Sequence, residues 1–152
     1  MSYDVKKLAD KLIYMASLDE ANGGELLTNL KLQKLLYYEQ GYHLAIFDTP
    51  LFDDNIEAWM YGPVVPNVYD SFSEYHSQVL PLPKDEIITL EEKDETLFAQ
   101  VYEALREFSA IGLANKTHAE TPWIKSLPHN RGTVIPQNLI KQFFKQNMTT
   151  NV

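Results

Sequence analysis

Val5, Leu8, Ala9, Leu12, Ile13 and Ala16 recur at three- and four-residue spacing, which puts them on one stripe of an amphipathic helix. Lys6, Lys7, Asp10 and Lys11 lie off that stripe and are expected in water. Asn22-Gly23-Gly24 should end the helix, because glycine takes positive φ without steric cost, and a loop then runs through Glu25. Thr28 or Asn29 can cap a second helix by accepting from one of its free N–H groups, and this helix reaches about Phe47. Here the stripe widens. At about 100° per residue, Leu32, Leu35, Leu36, Tyr42 and Ile46 cover one side while Tyr37 and Leu44 fall nearly opposite. A helix apolar on more than one face is a buried hub, and each of its leucines can contribute roughly 1.5–3 kcal/mol by burial. Gln33 and Gln40, nearly stacked at seven residues apart, form a polar line beside Tyr37 and Leu44. Gly41 lets a neighbouring element come close.

Past Phe47 the period shortens. Asp48-Thr49-Pro50 and Asp53-Asp54-Asn55 are turn chemistry, with Leu51 and Phe52 pinning the loop between them to the core. Ile56, Ala58 and Met60 alternate with Glu57, Trp59 and Tyr61, which predicts a short half-buried strand. Gly62-Pro63 should break it, and Pro66 suits the first turn of a third helix, where its missing N–H costs nothing. Val65, Val68, Tyr69 and Phe72 form that helix's inner stripe. Pro81 and Pro83 predict an extended connector over 77–88, with Ile87 and Ile88 as a candidate short strand. Thr89 and Glu92 have capping-box spacing, and Glu91, Glu92, Asp94 and Glu95 favour a helix start there. The helix should run to about Phe108, with Leu97, Val101, Leu105 and Phe108 inward. Ser109 caps a short helix with Ile111 and Leu113, Thr121-Pro122 opens another before Trp123, and Pro136 starts a last helix burying Leu139, Ile140, Phe143 and Phe144. Residues 147–152 are expected to fray. The fold class that results is mainly α: one domain over 1–152, packed around a central buried helix, with one or two short β-strands.

Charge and composition narrow the function. A chain of 152 residues can bury a core without staples. It has no cysteine, so disulfides, thiolate nucleophiles and zinc–thiolate sites are excluded, and a reducing cytoplasm fits. Charges at Asp4, Lys6, Lys7 and Asp10 break any signal-peptide core, and no window approaches the roughly 20 apolar residues of a membrane span. A net charge of −8 repels phosphate backbones, so a basic protein partner is favoured over nucleic acid.

No catalytic motif emerges. The four histidines, His43, His76, His118 and His129, lack paired-ligand spacing. His118 with Glu120 is the nearest approach to a metal or hydrolytic site, and backbone bonding or helix capping is the expected role. The six glycines form no phosphate-cradling loop. Asp53-Asp54 and Glu91-Glu92 are adjacent pairs that do not converge on one substrate, and read as solvated turn and helix-start residues. Neither metal nor cofactor is expected. The aromatic set of Tyr37, Tyr38, Tyr42, Trp59, Tyr61, Tyr69 and Trp123 serves either core filling or an interface, since Tyr and Trp are frequent binding anchors. Trp59 and Tyr61, on one face of the strand and just before a break, are the most reachable.

The segment TNLKLQKLLYYEQGYHLAIFDTPLFDDNIEAWMYGPVVPNVYDSF, followed by SAIGLANKTHAETPWIKS, resembles the signature of the Panacea antitoxin domain, the SocA-like or phage-associated genetic element protein A family. Lys31, Gln33, Lys34, Tyr37, Gln40 and Gly41 fall on the helix motif. Trp59, Tyr61, Gly62, Pro63, Val64 and Pro66 fall on the second block, and His118, Glu120, Pro122 and Trp123 on the third. Glu39 stands where alanine is common.

The resemblance implies a helical, non-enzymatic antitoxin of a two-gene toxin–antitoxin pair, often in phages and mobile elements, that neutralises a toxin by binding it. Some members are linked to toxin proteolysis, so an adaptor that hands its partner to a protease is the alternative. Some also carry a helix-turn-helix domain, for which this length leaves no room. Gln33, Tyr37, Gln40, Trp59, Tyr61, Gly62, Pro63, Val64 and Pro66 are the partner-binding candidates. Lys31, Leu32, Lys34, Leu35, Leu36, Gly41, Tyr69, His118, Glu120, Pro122 and Trp123 are assigned to structure.

Overall fold

The second helix is buried almost all the way round. In a computed structural model of the chain, which describes residues 2–20 and 26–149, α2 (Asn29–Phe47) has every side chain from Lys31 to Gly41 closed to solvent. Thr28 caps it, its hydroxyl accepting from the Lys31 N–H at 3.3 Å. Asp48 ends it in the left-handed conformation at φ 61° and donates its N–H back to the Leu44 carbonyl. Around this hub are arranged α1 (Val5–Glu20), α3 (Pro66–Ser71), α4 (Glu92–Leu105), α5 (Ala110–His118), α6 (Thr121–Ile124) and α7 (Gln137–Thr149). Of these, α7, α5 and α4 pack against it most extensively. The mainly α expectation holds, and one apolar cluster runs from Val5 and Leu8 through Leu32, Leu35 and Leu36 to Ile140 and Phe144.

The alternating stretch forms a hairpin rather than one strand. β1 (Glu57–Trp59) pairs antiparallel with β2 (Gly62–Val64), so that Ala58 faces Pro63 and Trp59 faces Gly62, with Met60 and Tyr61 at the tip. Gly62 turns the chain at φ +115° instead of ending the sheet. Pro63 is tolerated because its carbonyl, not the N–H it lacks, makes the useful bond, accepting from the Lys34 Nζ at 3.0 Å. The other edge of β1 is covered by residues 133–135, through Ala58 N–H to the Thr133 carbonyl and Ile135 N–H to the Ile56 carbonyl, both 2.8 Å.

Other boundaries moved for reasons that are local. Lys11 is buried, not wet: its ammonium reaches the Ile88 carbonyl and the Glu95 carboxylate, both at 2.8 Å. Ile87 and Ile88 lie outside any strand, and the bridge in this region pairs Thr28 with Val79. The capping box at Thr89 does not form. The N-cap is Glu91, and Glu95 instead accepts from the Leu90 N–H at 2.7 Å. α4 stops at Leu105, which leaves Phe108 exposed, and Ile46 on α2 is exposed as well. Ile140 and Phe144 are buried, whereas Leu139 and Phe143 are half-buried. α7 extends through Asn147 to Thr149. The Asn22-Gly23-Gly24 stop, the Glu25 loop and residues 150–152 lie outside the described residues.

Candidate functional site

The motif residues of α2 converge on the hairpin and hold it. Gln33 accepts from the Val65 N–H at 2.8 Å and donates to Asn29 Oδ1 at 2.9 Å. Asn29 in turn donates to the Tyr69 carbonyl at 3.2 Å. Lys34 lies under β2, and burial lowers its ammonium from the usual lysine range to about 7. A Cβ at Gly62 would stand 2.8 Å from Lys34 Cε and 2.7 Å from Thr117 Oγ1, so only glycine fits between hub and hairpin. Gln40 performs the same service for the preceding loop, accepting from the Leu51 N–H and donating to the Phe52 carbonyl, each at 2.7 Å. The predicted polar line of Gln33 and Gln40 therefore satisfies buried backbone.

The third block closes over the same face. Glu120, buried, accepts from the Tyr37 hydroxyl at 3.0 Å, the Tyr38 hydroxyl at 2.8 Å and Lys116 Nζ at 3.3 Å. Burial raises its carboxyl, and the bonds from Tyr38, Lys116 and Tyr37 pull it back down. Burial, and then the carboxylate beside them, push both tyrosines above the ordinary phenol range. Lys31 donates to the Arg106 carbonyl at 2.6 Å, tying α2 to the end of α4.

Trp123 seals the hairpin tip. Its indole N–H donates to the Trp59 carbonyl at 2.6 Å, and its ring lies between His118 at 4.1 Å and His129 at 3.5 Å. His129 Nε2 donates to the Trp123 carbonyl at 2.7 Å. His118 Nε2 is buried without a partner, and burial followed by the Lys34 charge lowers its imidazole, against a bond to the Met60 backbone. Trp59 packs edge-on against Tyr69 at 5.0 Å, carries the Arg131 guanidinium 5.1 Å above its ring, and donates to Glu57 at 2.9 Å. Pro122 is buried in the first turn of α6.

Of the nine partner-binding candidates, Gln33, Tyr37, Gln40, Gly62, Pro63 and Val64 are buried, Trp59 and Pro66 are half-buried, and Tyr61 is 68% exposed. Trp59 and Tyr61 do not share a face: the first turns in on Tyr69, the second stands at the turn. Met60, which alternation had sent inward, is 66% exposed. His129 and Arg131 join the group through the fold alone; nothing in their local sequence points to Trp123 or Trp59.

A family model for "Antitoxin SocA-like, Panacea domain" matches residues 32–124. The chain belongs to this Panacea family. The match takes in α2 after Lys31, the hairpin and α3 to α6, and leaves α1 and α7 outside. Antitoxin SocA of Caulobacter vibrioides (strain NA1000 / CB15N) is 41% identical over 73 residues, which cover 47% of this chain. The chain matches only 36% of that relative's length. No solved structure matches the chain.

The environment of Glu39 is severe. The side chain is fully buried, Oε2 has no partner, and burial raises the carboxyl well above the ordinary glutamate range. The folded chain therefore holds a proton that the unfolded chain releases above about pH 4.5, so stability falls as pH rises through that window. Glu39→Gln removes the ionisation. Its melting temperature should exceed that of the parent by more at pH 8 than at pH 5. Between the unfolded and folded pKa values the stability gap should widen by about 1.4 kcal/mol for each pH unit. Equal gaps at the two pH values would contradict the burial argument.

Proposed function

We propose that the chain is an antitoxin that neutralises a cognate toxin protein by binding it directly, as half of a two-gene pair of a phage or mobile element. The observation that carries this reading is the hairpin tip. Met60 and Tyr61 stand in solvent while the turn beneath them is fixed by Lys34, Gln33, Gly62 and Trp123. An exposed aromatic and a methionine on a pre-ordered support are the usual makings of a binding anchor, because little side-chain or loop entropy is lost on docking. Gln33, Gly62, Pro63 and Val64 contribute by holding that tip, Gln40 by fixing the loop before the hairpin, Tyr37 by bonding Glu120 and Pro66 by starting α3, and Tyr61 with the rim of Trp59 makes the contact. No helix among the described residues is long and apolar enough to cross a membrane.

The test is expression of each reading frame flanking the gene, alone and together with this chain. One frame should arrest growth alone, and co-expression should restore growth and yield a complex that co-purifies. If no flanking product is toxic, or toxicity persists with the chain present in folded form, the reading fails.

A further inference from the structure

The charge of the chain is unevenly placed. Residues 109–152 carry five bases, Lys116, Lys125, Arg131, Lys141 and Lys145, against the single acid Glu120, so the other 20 acids and eight bases all lie in residues 1–108. Met60 and Tyr61 lie in the acid-rich part of the sequence, but the hairpin meets the base-rich part through Trp123. The tip carrying Met60 and Tyr61 is held next to α6, where Trp123 donates to the Trp59 carbonyl and stacks on His129, and α6 with the turn after it exposes Ile124 (45%) and Leu127 (69%). Lys125 stands between those two apolar residues, exposed, with no acidic side chain pairing it among the described residues. Lys116 and Arg131 flank the surface, although Glu120 and Asp70 respectively engage them.

We propose that the hairpin tip and the α6 turn form one apolar, cationic docking surface that receives an acidic segment of the toxin, in place of the basic partner that the whole-chain charge favours. This deepens the antitoxin reading and rests on it. Proximity decides the sign. Within a Debye length of about 8 Å at physiological salt, a docked segment feels Lys125 and its neighbours rather than acids on the far side of the molecule. An interface chooses its partner by matching potential at the contact. Apolar side chains on the segment would meet Met60, Tyr61, Ile124 and Leu127, with carboxylates reaching Lys125. A nucleic acid is the lesser fit, because Lys116 and Arg131 are already engaged by Glu120 and Asp70, and Lys125 by itself neutralises too few phosphates.

Charge reversal separates the outcomes. In titrations of the toxin that the chain neutralises, Lys125→Glu should weaken binding about tenfold. Lys84→Glu, the same reversal on the exposed connector, should leave affinity within about twofold and so removes any effect of net charge. Unchanged or tighter binding by Lys125→Glu would overturn the proposal while leaving the antitoxin reading intact. Two short labelled peptides with the same leucine and phenylalanine content, one glutamate-rich and one lysine-rich, decide the matter without the toxin. The wild-type chain should bind the acidic peptide and Lys125→Glu should lose it. Preference for the basic peptide, binding of neither, or tighter binding of a single-stranded oligonucleotide would overturn it. Thermal melts of both variants should coincide with the parent, since neither lysine supports the fold.

Discussion

Glu120→Ala should cost about 3 kcal/mol of stability. The carboxylate is the common acceptor for the hydroxyls of Tyr37 and Tyr38, at 3.0 and 2.8 Å, and both rings are closed to solvent. Truncation leaves two buried donors without partners, each worth about 1–3 kcal/mol, and frees Lys116. Part of this is returned because a carboxylate that burial already raises no longer has to be desolvated. Glu120→Gln keeps an oxygen acceptor in place and should lose less than half as much. Adding Tyr37→Phe and Tyr38→Phe to the alanine variant should recover stability, because the stranded hydroxyls are then gone. Denaturant melts of the four proteins check the scheme. Equal losses for alanine and glutamine, or no recovery with the phenylalanines, would show that the tyrosines find other partners.

Gly41→Ala should destabilise by about 2 kcal/mol or more, even though alanine is the better helix former by about 1 kcal/mol. A Cβ built there would clash with the edge of the Phe144 ring. That ring cannot yield freely. It sits edge-on to Tyr42 at 4.9 Å, Tyr37 at 5.5 Å and Tyr38 at 5.8 Å. The added methyl must therefore push α7 off the hub, and the melting temperature should fall by roughly 4–8 °C. Phe144→Leu provides the control. In that background the clash is relieved, so Gly41→Ala should be nearly neutral, a non-additivity that only contact between the two positions explains. A fully additive double mutant would contradict the packing of α7 on Gly41.

The hub and its neighbours were legible because periodicity reports burial directly. Leu8, Leu12, Leu32, Leu35, Leu36, Val101 and Phe144 all lie where the spacing put them. What spacing could not report was the partner of each polar side chain. Gln33 and Gln40 read as a polar line, Glu120 as a cap and Lys34 only as a motif position, yet they satisfy backbone and phenol groups from 11 to 83 residues away. Lys11 shows the same blindness, since a lysine off the apolar stripe gives no sign that a carbonyl 77 residues on will accept from it. The hairpin was half visible: alternation marked β1, while Gly62-Pro63 looked like a break because proline is rare in paired strands. Only the tertiary bond from Lys34 to the Pro63 carbonyl makes β2 intelligible. Trp59 and Tyr61 were separated for the same reason, since the turn between the strands ends the alternation that had put them on one face.

The antitoxin reading turns on the hairpin tip being the surface that meets the toxin. The most direct measurement is growth rescue by Tyr61→Ala, a substitution at an exposed side chain whose removal leaves the Lys34, Gln33 and Trp123 supports untouched. This variant should melt cooperatively at the parent temperature yet fail to restore growth at matched expression, with toxin affinity reduced about thirtyfold, equivalent to about 2 kcal/mol. Full rescue at unchanged affinity by the folded variant would place the toxin elsewhere on the molecule and contradict that role for the tip.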